Sequence, residues 1–521
     1  MTKILISIFL ITFQFLGYAQ VSFQRMYRNI NEFNIGGSFG ATILQTTDSG
    51  YVILGINSDT LNAGLNDIYL IKTNSFGDTL WTKIYGTSQL DYAYKIIQTS
   101  DGGFAFCGVS GSNTILIKTN DVGDTLWTKK YLSSNYFSMA HSLKQTSDGG
   151  FILAGEVCTI SPNTDFLLMK TDIAGNLQWA KKYGGIGLER AFSVFEINGS
   201  GYILSGFSQS FSPMNDEFYV VRTDLNGNLL WSKIYGGNGT DIPYCMHNTN
   251  DGGFIMAGIS SSFNGNNQDI YIMKIDSIGN LIWSKDYDIS QYDYANFLSQ
   301  TNGNGFVVSG GINIGGVNYS PFILKLNSSG NTIWSKTIDT NYIAYCGIQT
   351  NDNGYAFLTK RCDPISCGLS LHKTDSLGNA CIQNSISPNN ISHTTFESVP
   401  ATISDTSSFF DTSSLNLSIG SRGYISQICS PLSAIQSMNN KYELNIFPNP
   451  YSSQTNIQTN ISFHNATLTF FNIFGQSVKQ INNISGQTIT LDRDYLSNGL
   501  YVVQLTEDNI MKALFKIVIT D

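Results

Sequence analysis

The chain has 521 residues, a net charge of −9 and only 13% charged side chains, with 49 glycines, 32 Phe and 27 Tyr. The acidic balance argues against a nucleic-acid partner. The length exceeds one ordinary compact core unless that core is built from repeats, and the Gly-, Ser-, Thr-, Asn- and aromatic-rich composition suits many short strands joined by tight turns.

Residues 1–19 read as a secretory signal peptide. Lys3 gives the positive start, and Ile4 to Leu16 is apolar apart from Ser7, Thr12 and Gln14. Gly17-Tyr18-Ala19 offers small residues at the −3 and −1 positions of a cleavage site. The run is short for a membrane span. Cleavage after Ala19 is expected, and no later segment is apolar enough for a helical span.

From residue 20 to 383 the chain repeats. Trp81, Trp127, Trp179, Trp231, Trp283 and Trp334 are 46, 52, 52, 52 and 51 residues apart. Each unit holds four strand-like stretches, the first hairpin turned by phrases such as Asp101-Gly102-Gly103. The last stretch of each of these units carries Trp-x-Lys, followed by x-Tyr in all but the last, with apolar bulk on both faces, as expected of a strand sandwiched between sheets. The Trp should dock between neighbouring units, burying roughly 2–3 kcal/mol each. The Lys should lay its stem on that face, keep its head wet and guard an outer edge. Phe23-Gln24-Arg25-Met26-Tyr27 imitates this strand, and Ile382 falls where a further Trp would stand. Seven intervals between Phe23 and Ile382 predict a seven-bladed β-propeller, closed by the amino-terminal strand. The phrase Asp-x-x-Gly-x-x-x-Trp resembles the Trp-docking repeat of propellers related to pyrroloquinoline quinone dehydrogenases, and more loosely an Asp-box. The spacing departs from both, so the resemblance implies the fold alone and no quinone cofactor.

Asp91, Glu189, Asp241 and Asp293 recur at the start of the first strand of their units, where others carry Ser38, Ser138 and Tyr342. In a closed ring these acids should gather at one mouth of the central channel. With the neighbouring Tyr92, Tyr244 and Tyr294, they form a candidate site for a cation or a polyhydroxylated ligand; capping of the local turn by short carboxylates is the competing role. His141 and His247 fall on inner strands and could face the channel. The five histidines show no metal-ligand spacing, no metal or other cofactor is implied, and no catalytic constellation stands out. Among the eight cysteines, Cys362 with Cys367 could bridge a hairpin, and Cys381 with Cys429 could staple the segment after the repeats.

Residues 384–441 are Ser-, Thr- and Asn-rich and read as a spacer, with a β hairpin over Leu415 to Ile419 and Tyr424 to Ile428. Residues 442–521 alternate like a small immunoglobulin-like β-sandwich of about seven strands. This segment holds Pro448-Asn449-Pro450, the turn around Gly475, Gly499-Leu500-Tyr501 and a final apolar strand with Lys516. In that order these motifs closely resemble the type A carboxy-terminal sorting domain of the type IX secretion system in Bacteroidota. The resemblance implies the type IX secretion machinery as partner. It also implies export across the outer membrane, removal of the domain, and release of the passenger or its attachment to surface lipopolysaccharide.

The expected fold is therefore all-β: a seven-bladed propeller, a spacer and a small sandwich. The expected function is a secreted or cell-surface binding or adhesion module for a glycan or protein ligand, without catalysis. An extracellular polysaccharide-degrading enzyme on the same scaffold is the alternative.

Overall fold

A computed structural model describes residues 22–28, 42–57, 66–133, 137–160, 163–197, 199–211, 215–263, 267–313, 319–337, 342–362, 367–379, short strands between 384 and 429, and 444–472, 477–507 and 510–520. Residues 1–19, expected as a signal peptide, lie outside them, as do Ile382, Cys381 and Gly475. Every element among the described residues is a strand. The chain divides into two units, Met1–Ser433 and Ala434–Asp521.

The first unit is a seven-bladed propeller. Blade 2 shows the pattern: Asp91–Gln98, Phe104–Ser110, Asn113–Thr119 and Thr125–Ser133 pair antiparallel in chain order. Blades 1, 3, 4, 5 and 6 repeat it over 42–86, 137–184, 189–236, 241–288 and 293–337. Blade 7 takes three strands from 342–374, and Phe23–Arg28 pairs with Cys367–Thr374 to supply its fourth. The amino-terminal strand is thus the clasp of the ring.

The hairpin turns are set by the sequence. In blade 2, Thr99 Oγ1 and the Gly103 N–H donate to Asp101 Oδ1 at 2.6 and 3.0 Å, and Lys118 Nζ donates to the same oxygen at 3.0 Å. The middle strands Phe104–Ser110 and Asn113–Thr119 are buried almost throughout. They read as continuous apolar runs because sheets cover both of their faces. Each blade interface has its own apolar cluster; Leu54, Leu70 and Tyr85 of blade 1, for instance, pack on Ala93, Phe106 and Ile117 of blade 2.

The Trp-x-Lys-x-Tyr phrase is an interblade latch. Trp179 of blade 3 lies against Gly227 of blade 4, where a Cβ would come within 2.8 Å of the indole. Gly227 also has φ 74°, a conformation costly for side-chain-bearing residues. Lys181 Nζ donates to Asn228 Oδ1 at 3.0 Å, and the Tyr183 hydroxyl donates to the Gly227 carbonyl at 2.5 Å. Phe23, Arg25 and Tyr27 repeat the latch from blade 7 to blade 1: Phe23 lies under Gly77, Arg25 pairs with Asp78 at 3.2 Å, and Tyr27 donates to the Gly77 carbonyl. The lysine heads therefore reach the next blade, and those of Lys83 and Lys129 do so at the exposed surface. The fourth strand is also less enclosed than expected, since Leu80, Leu126, Leu230, Ile282 and Ile333 are more than half exposed.

The segment expected as a spacer with a hairpin has a different arrangement. Asn384–Ser385, Asn389–Ser392, Phe396–Ser398, Ile403–Asp405, Phe410–Ser413, Ser418–Gly420 and Tyr424–Cys429 each add antiparallel to the outer strand of a blade. They visit blades 6, 5, 4, 3, 2, 1 and 7 in turn. The two strands expected to pair as a hairpin lie on different blades, Ser418–Gly420 on blade 1 and Tyr424–Cys429 on blade 7. The segment is a belt that runs back around the ring and covers the outer edges.

In the second unit the strands are Leu444–Phe447, Gln454–Phe471, Ser477–Asp492, Gly499–Glu507 and Ile510–Ile519. Among the described residues there are five rather than about seven, and Gln454–Phe471 and Ser477–Asp492 run on as long strands that pair with register shifts. Leu468, Phe470, Leu491, Val503, Leu505 and Ile517 fill the core. The Asn449 amide donates to the Lys516 carbonyl at 3.1 Å and accepts from the Val518 N–H at 2.8 Å, so the Pro-Asn-Pro motif grips the last strand through its side chain.

Candidate functional site

The first strands of the seven blades converge on a central channel that holds a cavity of about 360 Å³. Its wall includes Tyr94, Lys95, His141, Lys144, Phe192, Phe195, Tyr244, His247 and Phe297, and among the described residues none that lines it is a carboxylate. Lys144 Nζ sits 4.6 Å from the centre of the Phe195 ring, within cation–π range. Burial, and then the nearby Lys95, push the Lys144 ammonium down to about 8.

Two histidines complete the wall. His247 Nδ1 is 2.7 Å from the Asn248 carbonyl, and burial lowers its pKa, so it is a neutral donor at physiological pH. His141 packs between Tyr94 and Phe192, with ring centroids at 4.9 and 5.5 Å. Behind it lies the buried Glu156, 3.4 Å from His141 Nε2 and 2.9 Å from Arg190 Nε. Burial acts to raise the Glu156 pKa, but His141 and Arg190 together outweigh it and hold the carboxyl below its ordinary value. The Cys245 and Cys346 thiols are pushed up to about 12 and about 11 by burial, so neither is a ready nucleophile.

The acids expected at the channel mouth begin the inner strands. Asp91, Glu189, Asp241 and Asp293 are at most 1% exposed and do not line the cavity. Each caps the loop that leads into its strand. Asp91 accepts from the Thr87 N–H and hydroxyl at 2.6 and 2.8 Å. Glu189 accepts from Gly185 N–H and Ser208, Asp241 from Gly237 N–H and Ser262, and Asp293 from the Ile289 and Ser290 N–H groups. Burial raises the pKa of Glu189 and Asp241 and lifts Asp293 to about 6. Of the three tyrosines, Tyr244 lines the cavity; Tyr92 accepts from the Asn66 amide at 2.7 Å, and Tyr294 packs under Gly311.

The acids face a second series missed in the sequence reading. Asp67, Asp165, Glu217 and Asp269 begin the third strands of blades 1, 3, 4 and 5, all buried or nearly so. A Cβ at Gly184 would meet both Asp165 and Glu189, and one at Gly236 both Glu217 and Asp241. Each acid stands six residues before the last apolar or Thr position of its strand, a period that was available to find them. As to the cysteines, Cys362 and Cys367 are Cα partners across the last hairpin of blade 7, and Cys429 sits in the belt strand opposite Gln24.

Residues 445–520 match the family described as the secretion system C-terminal sorting domain. This second unit is a sorting domain of the type IX secretion route. Such a sorting domain implies export to the cell surface or the medium. Among the described residues no helix is long and apolar enough to cross a membrane. No curated protein sequence matches the chain. Among the solved structures that align, two illustrate how weak the likeness is. One is a protein of unknown function from Bacteroides caccae, at 12% identity, 55% of this chain, 93% of that one and TM-score 0.33. The other is Drosophila Plexin A in complex with Semaphorin 1b, at 9% identity, 68% of this chain, 88% of that one and TM-score 0.38. Likenesses this weak carry no functional argument.

Proposed function

We propose that the propeller, once carried out by its sorting domain, works as a non-catalytic binding module whose ligand docks in the central channel, and that the ligand is an anionic glycan. The observation that carries this reading is the channel wall, where Lys95 and Lys144 stand among Tyr94, Phe192, Phe195, Tyr244 and Phe297 with no carboxylate between them. Aromatic faces suit sugar rings, and two ammonium groups suit carboxylate or sulfate substituents. The 360 Å³ cavity is within the size of small-ligand sites. The buried thiols and the His141–Glu156–Arg190 cluster behind the wall give rigidity and no free nucleophile.

The test is a glycan array probed with the secreted protein, followed by calorimetry on the best ligands. Uronate- or sulfate-bearing glycans should bind and neutral ones should not, and Lys144→Met should weaken binding at least tenfold. Equal binding of neutral and acidic glycans, or an unchanged affinity in Lys144→Met, would sink the reading.

A further inference from the structure

We infer that the junction of blades 5 and 6 is a divalent-cation site of the calcium type, formed by Asp269, Asp288 and Asp293, with Asp286 beside Asp269. Three carboxylates, from Asp269, Asp288 and Asp293, present oxygen atoms that all lie within 4.8 Å of one another. A cluster of that kind can be solvated acid and nothing more. Two further observations bear on this one.

The first is a comparison between blades of the same chain. In blade 3 the third-strand acid Asp165 is neutralised by Lys182, whose Nζ is 3.2 Å from Asp165 Oδ2. Lys182 stands three residues after Trp179. The residue three after Trp283 in blade 5 is Asp286. The equivalent of Asp165 there is Asp269, so an acid faces an acid where blade 3 has an ion pair. Two residues further on, blades 1, 3 and 4 have Gly86, Gly184 and Gly236, whereas blade 5 has Asp288. Blade 5 has thus lost the cation and gained two carboxylates.

The second observation is Asp286 itself. It is 2% exposed, its carboxyl lies within hydrogen-bonding reach of Asp269, and its Oδ1 is buried without a hydrogen-bond partner. A buried carboxylate oxygen left unpaired is costly. A cation in the cluster would balance the charge that Lys182 balances in blade 3. Three carboxylates with no nitrogen or sulfur among them form a hard-oxygen donor set, which suits calcium and, less well, magnesium or manganese. The inference does not depend on what the channel binds.

The experiment uses the full chain, stripped with a chelator and then titrated with calcium, magnesium or manganese chloride, with the melting temperature and calorimetric binding as readouts. Calcium should raise the melting temperature by several degrees and bind at one site. Asp288→Gly, which restores the blade 3 and blade 4 residue, should weaken calcium binding at least tenfold. Asp286→Lys, which restores the blade 3 ion pair, should melt at the same temperature with calcium or chelator. If Asp286→Lys does not fold, Asp288→Gly alone decides. A melting temperature indifferent to all three ions with no heat of binding would overturn the assignment, as would calcium binding left unchanged in Asp288→Gly.

Discussion

At the scale of single residues, the latch tyrosines show how one side chain can fix two blades. The Tyr183 hydroxyl is fully buried and donates to a carbonyl of the next blade. Tyr183→Phe keeps the ring and its packing but strands the Gly227 carbonyl, which should cost about 1–3 kcal/mol. Denaturant unfolding should show the midpoint falling with the slope unchanged; an unmoved midpoint would mean that solvent reaches that carbonyl. Lys144 supplies a pH signature in the other direction. Its folded pKa, about 8, lies below the ordinary 10.5. Between those values the unfolded chain holds more protons than the folded one, so this group adds stability as pH rises through the window. Anion binding in the channel should instead fall as pH passes about 8, because the ammonium is lost. Opposite slopes of stability and affinity between pH 8 and 10 are the expected result, and parallel slopes would detach Lys144 from the ligand.

The same scale explains what could be read beforehand. The Trp179, Lys181 and Tyr183 pattern recurs because most blades use the same latch, so its spacing announced both the fold and the interblade contact. The acids were equally periodic, but a period fixes a position in a strand and not the direction of a side chain. Asp91 and Asp241 begin inner strands as expected, yet they turn into their own entry loops. Lys95 and Lys144 left no trace in the pattern. The residues at the position of Lys144 in the other blades are Leu44, Ile97, Phe195, His247, Ser299 and Ile348, so no recurring residue marked the wall.

At the scale of elements, the belt is the largest departure from the sequence reading. Its strands are two to six residues long, too short to display a period of two. They hold the blades through backbone pairing, so a polar composition resembling a linker was compatible with ordered structure. The belt answers a specific hazard. Each blade's outer strand would otherwise present open N–H and C=O groups, a template for pairing with another chain. Several of these strands also expose a large apolar residue, such as Leu126 or Ile282. Deleting residues 384–429 should therefore leave the blades formed but sticky. Light scattering should detect concentration-dependent association at micromolar protein that the intact chain lacks. A deletion variant that stayed monomeric would show that the belt is dispensable for edge protection.

At the scale of the whole molecule, blade 7 concentrates the consequences of closure. It takes Cys367–Thr374 from the end of the repeat, Phe23–Arg28 from the beginning, and Tyr424–Cys429 from the end of the belt. Phe23–Arg28 is the central member of that trio, bonded on both sides. Without it, Cys367–Thr374 and the last belt strand lose their common partner, and blade 1 loses the Phe23, Arg25 and Tyr27 latch at Gly77 and Asp78. The other six interfaces keep their own apolar clusters, so the damage should be local in contacts but global in stability, because a ring opened at one joint lets its blades separate one by one. Removing residues 22–28 should convert a single steep unfolding transition into a broad one with a lower onset, and hydrogen exchange should quicken first in 42–57 and 342–374. If exchange instead rose evenly in all seven blades, the ring would be held by something other than this clasp.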